Sequence, residues 1–336
     1  MVAAGEAAIG RLGQGGGALE MEAQTAHLAA DVIFRTLFSL PITDTAAADV
    51  HRAFRRYQRA QPLLSLADLL RLPRWVPRLR PREARRAAAE IRTLLAALVA
   101  RRQAEIAAGT APDDLATKIM TMRDPQTGSG FSEAEMADQV AIFFLAGHET
   151  SASALAWALY LLALDPPVQE RLAREACEVL GDASPSWDSI GKLAYCRDVF
   201  RETLRLYPPV PMLVREAAQA ERFRDRDIAA GSVIVLSPWH LQRHERLWSD
   251  PDVFDPGRWR RPCPKDAYMP FSQGPRICTG AGFAMVEGVL FLAMLARAFR
   301  FERVPARDPV PVAHLTVRAK DGIWLRVEPR GELAAG

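Results

Sequence analysis

The chain has 336 residues, 49% of them hydrophobic and 25% charged, a balance typical of a folded protein with a large buried core. Its formal net charge of +3 does not demand a nucleic-acid partner, although it would suit an acidic protein. Its four cysteines form no C-x-x-C pair, which argues against structural zinc or a disulfide scaffold and predicts a reducing, cytoplasmic location.

The chain begins with an Ala- and Gly-rich stretch, residues 1–20, that lacks the continuous apolar run of a signal peptide. We predict a flexible start there, followed by a single domain over residues 21–330. Apolar residues at helical spacing predict helices at 21–40, 46–60 and 83–107. The proline-rich basic run that starts at Arg71 and ends at Arg82 cannot form a regular helix, so we predict a solvated loop there.

The most unusual segment runs from 132 to 164 and predicts one very long helix. Ser132 and Glu135 form a capping box at its start, and Pro166 follows its end. Its two halves are apolar nearly all round, which predicts burial on every side. A membrane span is the alternative, but a charge and several hydroxyls at its midpoint would be costly in a bilayer.

The rest of the chain predicts shorter helices, strands and one long irregular segment. Val233–Leu236 has the pattern of a buried strand. The whole is mainly α with a small β part: helices up to residue 207, strands and loops over 208–280, and a helix and strands over 280–330. The predicted elements are helices at 166–180, 193–207 and 280–298, strands within 212–240 and 310–328, and irregular chain at 240–277.

Cys278 lies in the loop Phe271-Ser-Gln-Gly-Pro-Arg-Ile-Cys-Thr-Gly280, directly before the last predicted helix. Unpaired N–H groups and the helix dipole stabilise a thiolate at such a position, and a thiolate is a good metal ligand. Arg276 is placed to meet an anionic group beside that metal. The histidines have no helical metal-ligand spacing, so we do not expect them to bind a metal.

This loop resembles the haem-binding signature of the cytochrome P450 family, F-x-x-G-x-R-x-C-x-G, at every fixed position. Three further motifs follow the family's order: Ala146-Gly-His-Glu-Thr150, similar to the oxygen-binding stretch of the central I helix; Glu202-Thr-Leu-Arg205, similar to E-x-x-R; and Phe254-Asp-Pro-Gly-Arg258-Trp. The resemblance covers roughly residues 20–330. It implies the P450 fold, with the I helix at about 132–164.

The resemblance also implies a cofactor and its site residues. Haem b would have Cys278 as its axial ligand, a thiolate that favours O–O cleavage. Ala146 and Gly147 would leave room for dioxygen, while Thr150 and Glu149 would hold and supply protons. The remaining implied residues are Phe271 and Gly280 in the haem loop, Arg276, Arg215 and Arg243 at the haem propionates, and Glu202, Arg205 and Arg258 in a buried structural network.

For function, the resemblance implies a monooxygenase that acts on a small apolar substrate with dioxygen. Ile142, Phe143, Ala146 and Pro211–Val214 would line the pocket. Electrons would come from a separate ferredoxin or flavodoxin type donor with its reductase, since no flavin or iron–sulfur domain is evident. The basic residues expected to dock that donor are Arg260, Arg261, Lys265 and Arg276.

The sequence departs from the family before the I helix. No W-x-x-x-R precedes the first matching segment, so we expect an N-terminally truncated P450, by a misplaced gene start or a real truncation. Two alternatives stay open: a haem-binding but catalytically impaired or vestigial fragment, and a haem-thiolate peroxygenase, isomerase or dehydratase. Glu149 and Thr150 argue against the second, because those reactions need no proton relay to dioxygen.

Overall fold

The structure of the chain, a computed structural model, describes residues 1–15, 17–60, 81–181, 183–313 and 315–331. The predicted basic loop that starts at Arg71 lies, up to residue 80, outside the described residues. The helices are α1 (Val2–Gln14), α2 (Met21–Phe38), α3 (Thr45–Arg59), α4 (Arg82–Ala107), α5 (Leu115–Thr121), α6 (Glu133–Leu164), α7 (Pro166–Leu180), α8 (Trp187–Lys192), α9 (Ala194–Leu206), α10 (Pro238–Leu241) and α11 (Ala281–Ala298). The strands are β1 (Ala18–Glu20), β2 (Leu213–Glu216), β3 (Glu221–Phe223), β4 (Arg226–Ile228), β5 (Val233–Leu236), β6 (Phe299–Arg303), β7 (Pro311–Ala313), β8 (Val317–Ala319) and β9 (Trp324–Pro329).

The strands are short and their pairings are antiparallel, so the predicted mainly α class with a small β part is confirmed. β9 lies between β1 and β6 in a three-stranded sheet. Three two-stranded ribbons pair β2 with β5, β3 with β4, and β7 with β8.

The chain divides into two compact units. One consists of Met1–Ala26 and Thr150–Gly336, and the other of His27–Glu149. Their boundaries fall inside α2 and α6, so this division differs from the predicted single domain of 21–330 and its partition at residues 207 and 280. A partition made along the sequence cannot show that the C-terminal half of a long helix belongs to a different unit from its N-terminal half.

The first residues form helix α1, so the prediction of a flexible start is wrong. Small residues of α1 are buried, and a side chain at Gly5 would come within 2.8 Å of the Met294 sulfur on α11. The Ala and Gly content that suggested flexibility instead allows close packing between the two helices, with Leu12 as the large buried residue.

Helix α6 confirms the long helix predicted at 132–164. The Glu135 N–H donates to Ser132 Oγ at 3.3 Å, and the Ser132 N–H donates to Glu135 Oε2 at 2.8 Å, which is the predicted capping box. Its C-terminal half is buried as predicted, with Trp157 fully buried. Burial on every side is wrong for the N-terminal half, where Ile142 is 58% exposed.

The larger unit packs its core around the second half of α6. Trp157 stacks on Tyr207 with ring centres 4.0 Å apart, and its indole N–H donates to the Val317 carbonyl at 3.3 Å. Ser153 donates to the same carbonyl at 2.6 Å. These contacts fix α6 against the end of α9, which precedes the haem-signature loop in the chain, and against the β7–β8 ribbon, which follows it.

The smaller unit has an aromatic core between α2, α3 and α6. Phe144 lies with its ring centre 4.9 Å from that of Phe34 and 4.6 Å from that of Phe54. His148 stacks on the other side of Phe144, at 4.6 Å. This core holds the N-terminal half of α6, which carries the predicted oxygen-binding stretch.

Helix α11 has the length and hydropathy of a membrane span, and 56% of that apolar window is buried inside the structure. Helices α6 and α7 pass the same test only if they are taken together across a bend of 116°. Burial of this kind is also typical of a core helix in a protein that stays in water.

Candidate functional site

The Cys278 loop is a tight turn that ends at the N-terminus of α11. The Cys278 N–H donates to the Phe271 carbonyl at 2.8 Å, and Gly280 is the N-cap of the helix. Gly274 has φ +71° and Ser272 has φ +63°, so the turn uses left-handed backbone at two positions. The Cys278 side chain is exposed. A thiolate at this position is stabilised by the positive end of the α11 dipole.

One of the predicted cations contacts this loop and another belongs to it. Arg215, on β2, donates from Nη2 to Ser272 Oγ at 3.1 Å. Arg276 is exposed in the short 3-10 turn Gly274–Arg276, two positions before Cys278. The loop therefore combines an exposed thiol with two guanidinium groups, which is the charge that carboxylates beside a metal ligand require.

The third predicted cation, Arg243, has other contacts. Its Nε is 3.4 Å from Asp252 Oδ1, and its guanidinium lies 3.8 Å from the Trp239 ring centre. Burial lowers its pKa to about 10, and its Nη1 is buried with no hydrogen-bond partner from the described ranges. That unused donor is compatible with an anionic ligand, and contact with a haem propionate stays a prediction for Arg243.

In the smaller unit, the acid of the predicted oxygen-binding stretch is held by a neighbouring helix. Gln58, on α3, donates to Glu149 Oε2 at 2.7 Å. His148 Nδ1 lies 2.9 Å from the Phe144 carbonyl, so this histidine is bonded within α6. Thr150, the last residue of this stretch, belongs to the larger unit and is half-buried.

Gly147 has a packing reason to be glycine. A Cβ at this position would lie 2.4 Å from Ile33 Cδ1 and 3.0 Å from its Cγ1, so α2 already fills the space. The predicted role of Gly147 in leaving room for dioxygen is untested. Ala146 does lie on the exposed side of α6, together with Ile142 and Phe143, and this spacing places all three on one face.

The residues predicted to line the pocket from the strand region are partly exposed. Met212 is 49% exposed and Val214 61% exposed, whereas Pro211 is buried. The predicted buried strand Val233–Leu236 is wrong on this point, because Val233 and Val235 are also exposed. Val235 pairs across the ribbon with Val214, so the two strands share an exposed apolar face.

The buried Glu–Arg–Arg network forms as predicted. Arg205 donates to both oxygens of Glu202, at 2.8 and 3.1 Å, and Arg258 Nε donates to Glu202 Oε1 at 3.2 Å. All three side chains are almost completely buried. A shared, bidentate arrangement of this kind compensates the cost of burying the charges.

Sequence reasoning missed Gln242, although Arg243 beside it was singled out. Gln242 is fully buried, and its Nε2 donates to the carbonyls of Leu204 and Arg205. Its Oε1 accepts from the Met269 N–H at 2.9 Å, which ties the end of α9 to the approach to the Cys278 loop. No pattern in the sequence distinguishes this glutamine from an exposed one.

Two of the three predicted docking arginines are engaged in ion pairs. Arg260 lies 3.5 Å from Asp198, and Arg261 pairs with Asp255. The histidines of the irregular segment are also bonded: His240 to Ser237 Oγ at 2.8 Å, and His244 to the Arg246 N–H at 3.2 Å. No cluster of three or more metal-ligating side chains occurs within the described ranges.

We compare these residues with the three requirements of a haem group: a thiolate ligand, cations and apolar surface. A thiolate ligand requires an exposed thiol on a rigid loop, and the Cys278 loop provides one. Propionates require cations, which Arg215 and Arg276 provide at the same loop. The flat macrocycle requires apolar surface, and Ile277, beside Cys278, is 56% exposed. The fold and this loop define a haem-thiolate protein.

Comparison with known proteins agrees with this class. The family model described as "Cytochrome P450" matches residues 9–326, and the chain belongs to the cytochrome P450 family. Members of this family bind haem b through a cysteine thiolate. The solved structure described as the cytochrome P450DA heme domain superposes with a TM-score of 0.84 at 26% identity, over 98% of this chain and 72% of that chain.

Curated relatives match a shorter part. Cytochrome P450 4B1 of Homo sapiens is 39% identical over 209 residues, which are 60% of this chain and 40% of that protein. Putative cytochrome P450 132 of Mycobacterium bovis is 38% identical over 200 residues, which are 58% of this chain and 43% of that protein. The matched part thus spans about two fifths of the length of these relatives.

Proposed function

We propose that the chain is a haem-thiolate monooxygenase that inserts one atom of dioxygen into an apolar organic substrate. The observation that carries this proposal is the exposed Cys278 thiol, fixed by the Phe271 carbonyl at the N-terminus of α11 on a loop bonded to Arg215. Haem bound there supplies a thiolate-ligated iron, the chemistry that activates dioxygen in this family.

The chain's own residues would divide the remaining work. Cys278 would bind the haem iron through its thiolate, with Phe271 and Gly280 fixing its loop. Arg215 and Arg276 bind the propionates, and Arg243 has one free buried donor for the same purpose. In α6, the Glu149 carboxylate accepts a hydrogen bond from Gln58 and would take part in proton transfer. Thr150 would offer a hydroxyl as donor and acceptor.

The substrate class is proposed from the residues that are expected to line the pocket. The exposed side chains of Ile142, Phe143 and Val214 are apolar, and apolar walls with few polar groups are typical of sites for hydrophobic small molecules. We propose a cytoplasmic protein whose electrons come from a separate ferredoxin or flavodoxin type donor. Arg276 would contribute to its docking face, since it has no ion pair among the described contacts.

The first test is the carbon monoxide spectrum of the reduced, haem-supplied chain. We expect the strongly red-shifted Soret band of a thiolate-ligated haem, and we expect Cys278→Ala to lose it. Cys263→Ala is the matched control, because Cys263 is a half-buried free cysteine of the same region and should leave the band unchanged.

Two results would count against the proposal. A folded, haem-loaded chain without the shifted band would refute thiolate ligation, and a band that survives Cys278→Ala would refute this ligand. Turnover is then measured with NADH, a reductase and either a ferredoxin or a flavodoxin. Failure of both donors to reduce the haem would exclude the proposed electron source.

A further inference from the structure

Helix α11 contains one carboxyl group deep in its apolar face. The Glu287 side chain belongs to a residue only 1% exposed, on a helix whose residues from Gly288 to Ala296 are all buried. Ser151, on α6, donates to Glu287 Oε2 at 2.5 Å. The second oxygen, Oε1, is buried and has no hydrogen-bond partner among the residues that the structure describes.

One hydrogen bond is too few for an ionised carboxylate in this environment. Two carboxylate oxygens present about four acceptor sites, and an uncompensated charge is costly to bury. Burial raises the pKa of Glu287 to about 7, although the bond from Ser151 acts in the opposite direction. Glu287 is therefore a neutral acid in mildly acidic solution and ionises around neutral pH.

The two partners connect two helices that the proposed function uses. Ser151 directly follows Thr150 on α6, and Glu287 is on the helix that begins just after Cys278. Both belong to the larger unit, so this contact lies within one compact unit. Through Ser151, Glu287 ties the Thr150 segment to the helix that carries the thiolate loop.

We propose that protonated Glu287 is a positioning residue, which holds the Thr150 segment of α6 against the helix that begins beside Cys278. This inference rests on the proposed function, because it assigns a purpose to the spacing between those two elements. Ionisation of the carboxyl group would bring a poorly compensated charge into the contact, draw in water and loosen the α6–α11 contact.

The charges around Glu287 do not provide another way to compensate ionisation. On the α1 side, the α-amino group at Met1 is the charged group that acts on its pKa, and it lowers that pKa less than Ser151 does. No charged side chain in the described parts of α7, α8, α9 and β6, which also border α11, is among the causes of the shift. In a chain extended upstream of Met1 the amine would be absent, and the pKa of Glu287 would be at least as high.

Linkage gives the expected size of the effect. If the carboxyl group titrates at about 7 when the contact is closed and at about 4.5 when it is open, opening becomes roughly fiftyfold more favourable between about pH 5 and pH 7.5. Opening becomes more favourable because the open state has lost its proton while the closed state still holds it. Most of the increase therefore occurs below the pKa of Glu287 in the closed contact.

The experiment compares the wild type with Glu287→Gln, which keeps an acceptor for Ser151 but cannot ionise. Infrared spectra recorded between pH 5 and 8 report a protonated carboxylic acid. Hydrogen exchange in Thr150–Ala156, corrected for the intrinsic rate, reports opening of the contact. Glu170→Gln is the matched control, because Glu170 is bonded to Arg300 and Arg330 and its pKa is lowered.

We expect the wild type and Glu170→Gln to lose an acid band as the pH passes about 7, and Glu287→Gln to lack that band. Exchange should rise tens of times in the first two proteins and stay constant in Glu287→Gln. The share of electrons recovered as product should also fall with pH only where Glu287 is present. In Ser151→Ala the exchange should be fast at every pH.

A missing acid band at pH 5, or an equal rise of exchange in Glu287→Gln, would overturn the positioning role. The proposed function fails separately, by the absence of the thiolate band with carbon monoxide. Because the infrared and exchange measurements can be made with and without haem, the two failures are distinguishable.

Discussion

Gly288 is a residue whose lack of a side chain decides a helix contact. It lies on α11, where a Cβ would come within 2.2 Å of Phe200 Cζ and 2.3 Å of its Cε1 on α9. Phe200 is only 2% exposed, so its rigid ring has little room to move. Even the smallest side chain would therefore separate α9 from α11.

We predict that Gly288→Ala destabilises the protein by about 1–3 kcal/mol, the usual cost of overpacking a well-filled core. The free energy of unfolding in urea measures the change. Shortening the ring should recover part of the loss, so Phe200→Leu combined with Gly288→Ala should cost less than the sum of the two single changes.

Gly282→Ala is the control, on the first turn of the same helix. No heavy atom lies within 4 Å of the position its Cβ would take, so it should be neutral or should gain up to about 1 kcal/mol of helix propensity. Equal stability of the two alanine variants would contradict the assigned role of the Phe200 contact.

At the scale of elements, Asp114 joins three helices of the smaller unit. It caps α5 by accepting from the Thr117 N–H at 3.1 Å, and it accepts from Ser39 Oγ at 2.9 Å, just after α2. It also pairs with Arg102 of α4, which is 4% exposed. Burial alone would raise the pKa of Asp114, but the hydrogen bonds from Arg102, Thr117 and Ser39 lower it overall.

We predict that Asp114→Asn costs about 1.5–3 kcal/mol, because it removes a charged hydrogen bond of the buried Arg102, which keeps its second ion pair with Glu105. Asp113→Asn is the control: Asp113 is next in the chain, but its side chain is 86% exposed and its ion pair is with Lys118. That exposed pair should contribute at most about 1 kcal/mol. Chemical denaturation measures the loss of unfolding free energy in both variants. Similar losses would contradict the role of Asp114 in joining the three helices.

The elements also show where sequence reasoning succeeds. Helix α6 was predictable from its capping box and length, and the Glu202 network from motif spacing, because local chemistry determines both. Helix α1 was not predictable, because a segment rich in Ala and Gly is equally typical of flexible chain and of a helix face that packs closely. Val233–Leu236 has the composition of a buried strand, yet burial depends on what covers it.

Within the site, the loop of Cys278 was predictable because its signature is contiguous. Glu287 was not recognised, although a single acid in the apolar run of α11 is a signal in itself. Gln242 and Ser272 carry no such signal, because their partners come from distant parts of the chain. Sequence therefore predicts the ligand more readily than the contacts that hold its loop.

At the scale of the whole molecule, two buried groups make stability depend on pH in opposite directions. His51 lies edge-on to His27 and His148, with ring centres 6.3 and 6.2 Å away, and its Nδ1 is buried without a hydrogen-bond partner in the described part of the chain. Burial, followed by the charges of His148, Arg55 and His27, lowers its pKa to about 3.

The signs follow from linkage. His51 is more acidic when folded, so its contribution is complete above about pH 6.5 and is lost as the pH falls toward 3. Glu287 is less acidic when folded, so its contribution is complete below about pH 4.5 and is lost as the pH rises through 7. Between about pH 4.5 and 6.5 the two effects oppose each other.

We therefore predict a smaller pH dependence of the unfolding free energy in the wild type than in either single variant. In His51→Gln, Glu287 alone remains, and stability should fall as the pH rises from 5 to 6.5. In Glu287→Gln, His51 alone remains, and stability should rise. Each slope should differ from that of the wild type by up to about 1.4 kcal/mol per pH unit. Urea unfolding at four pH values measures all three proteins, and since other groups titrate equally in each, a variant with the wild-type slope would exclude its residue as a source of the pH dependence.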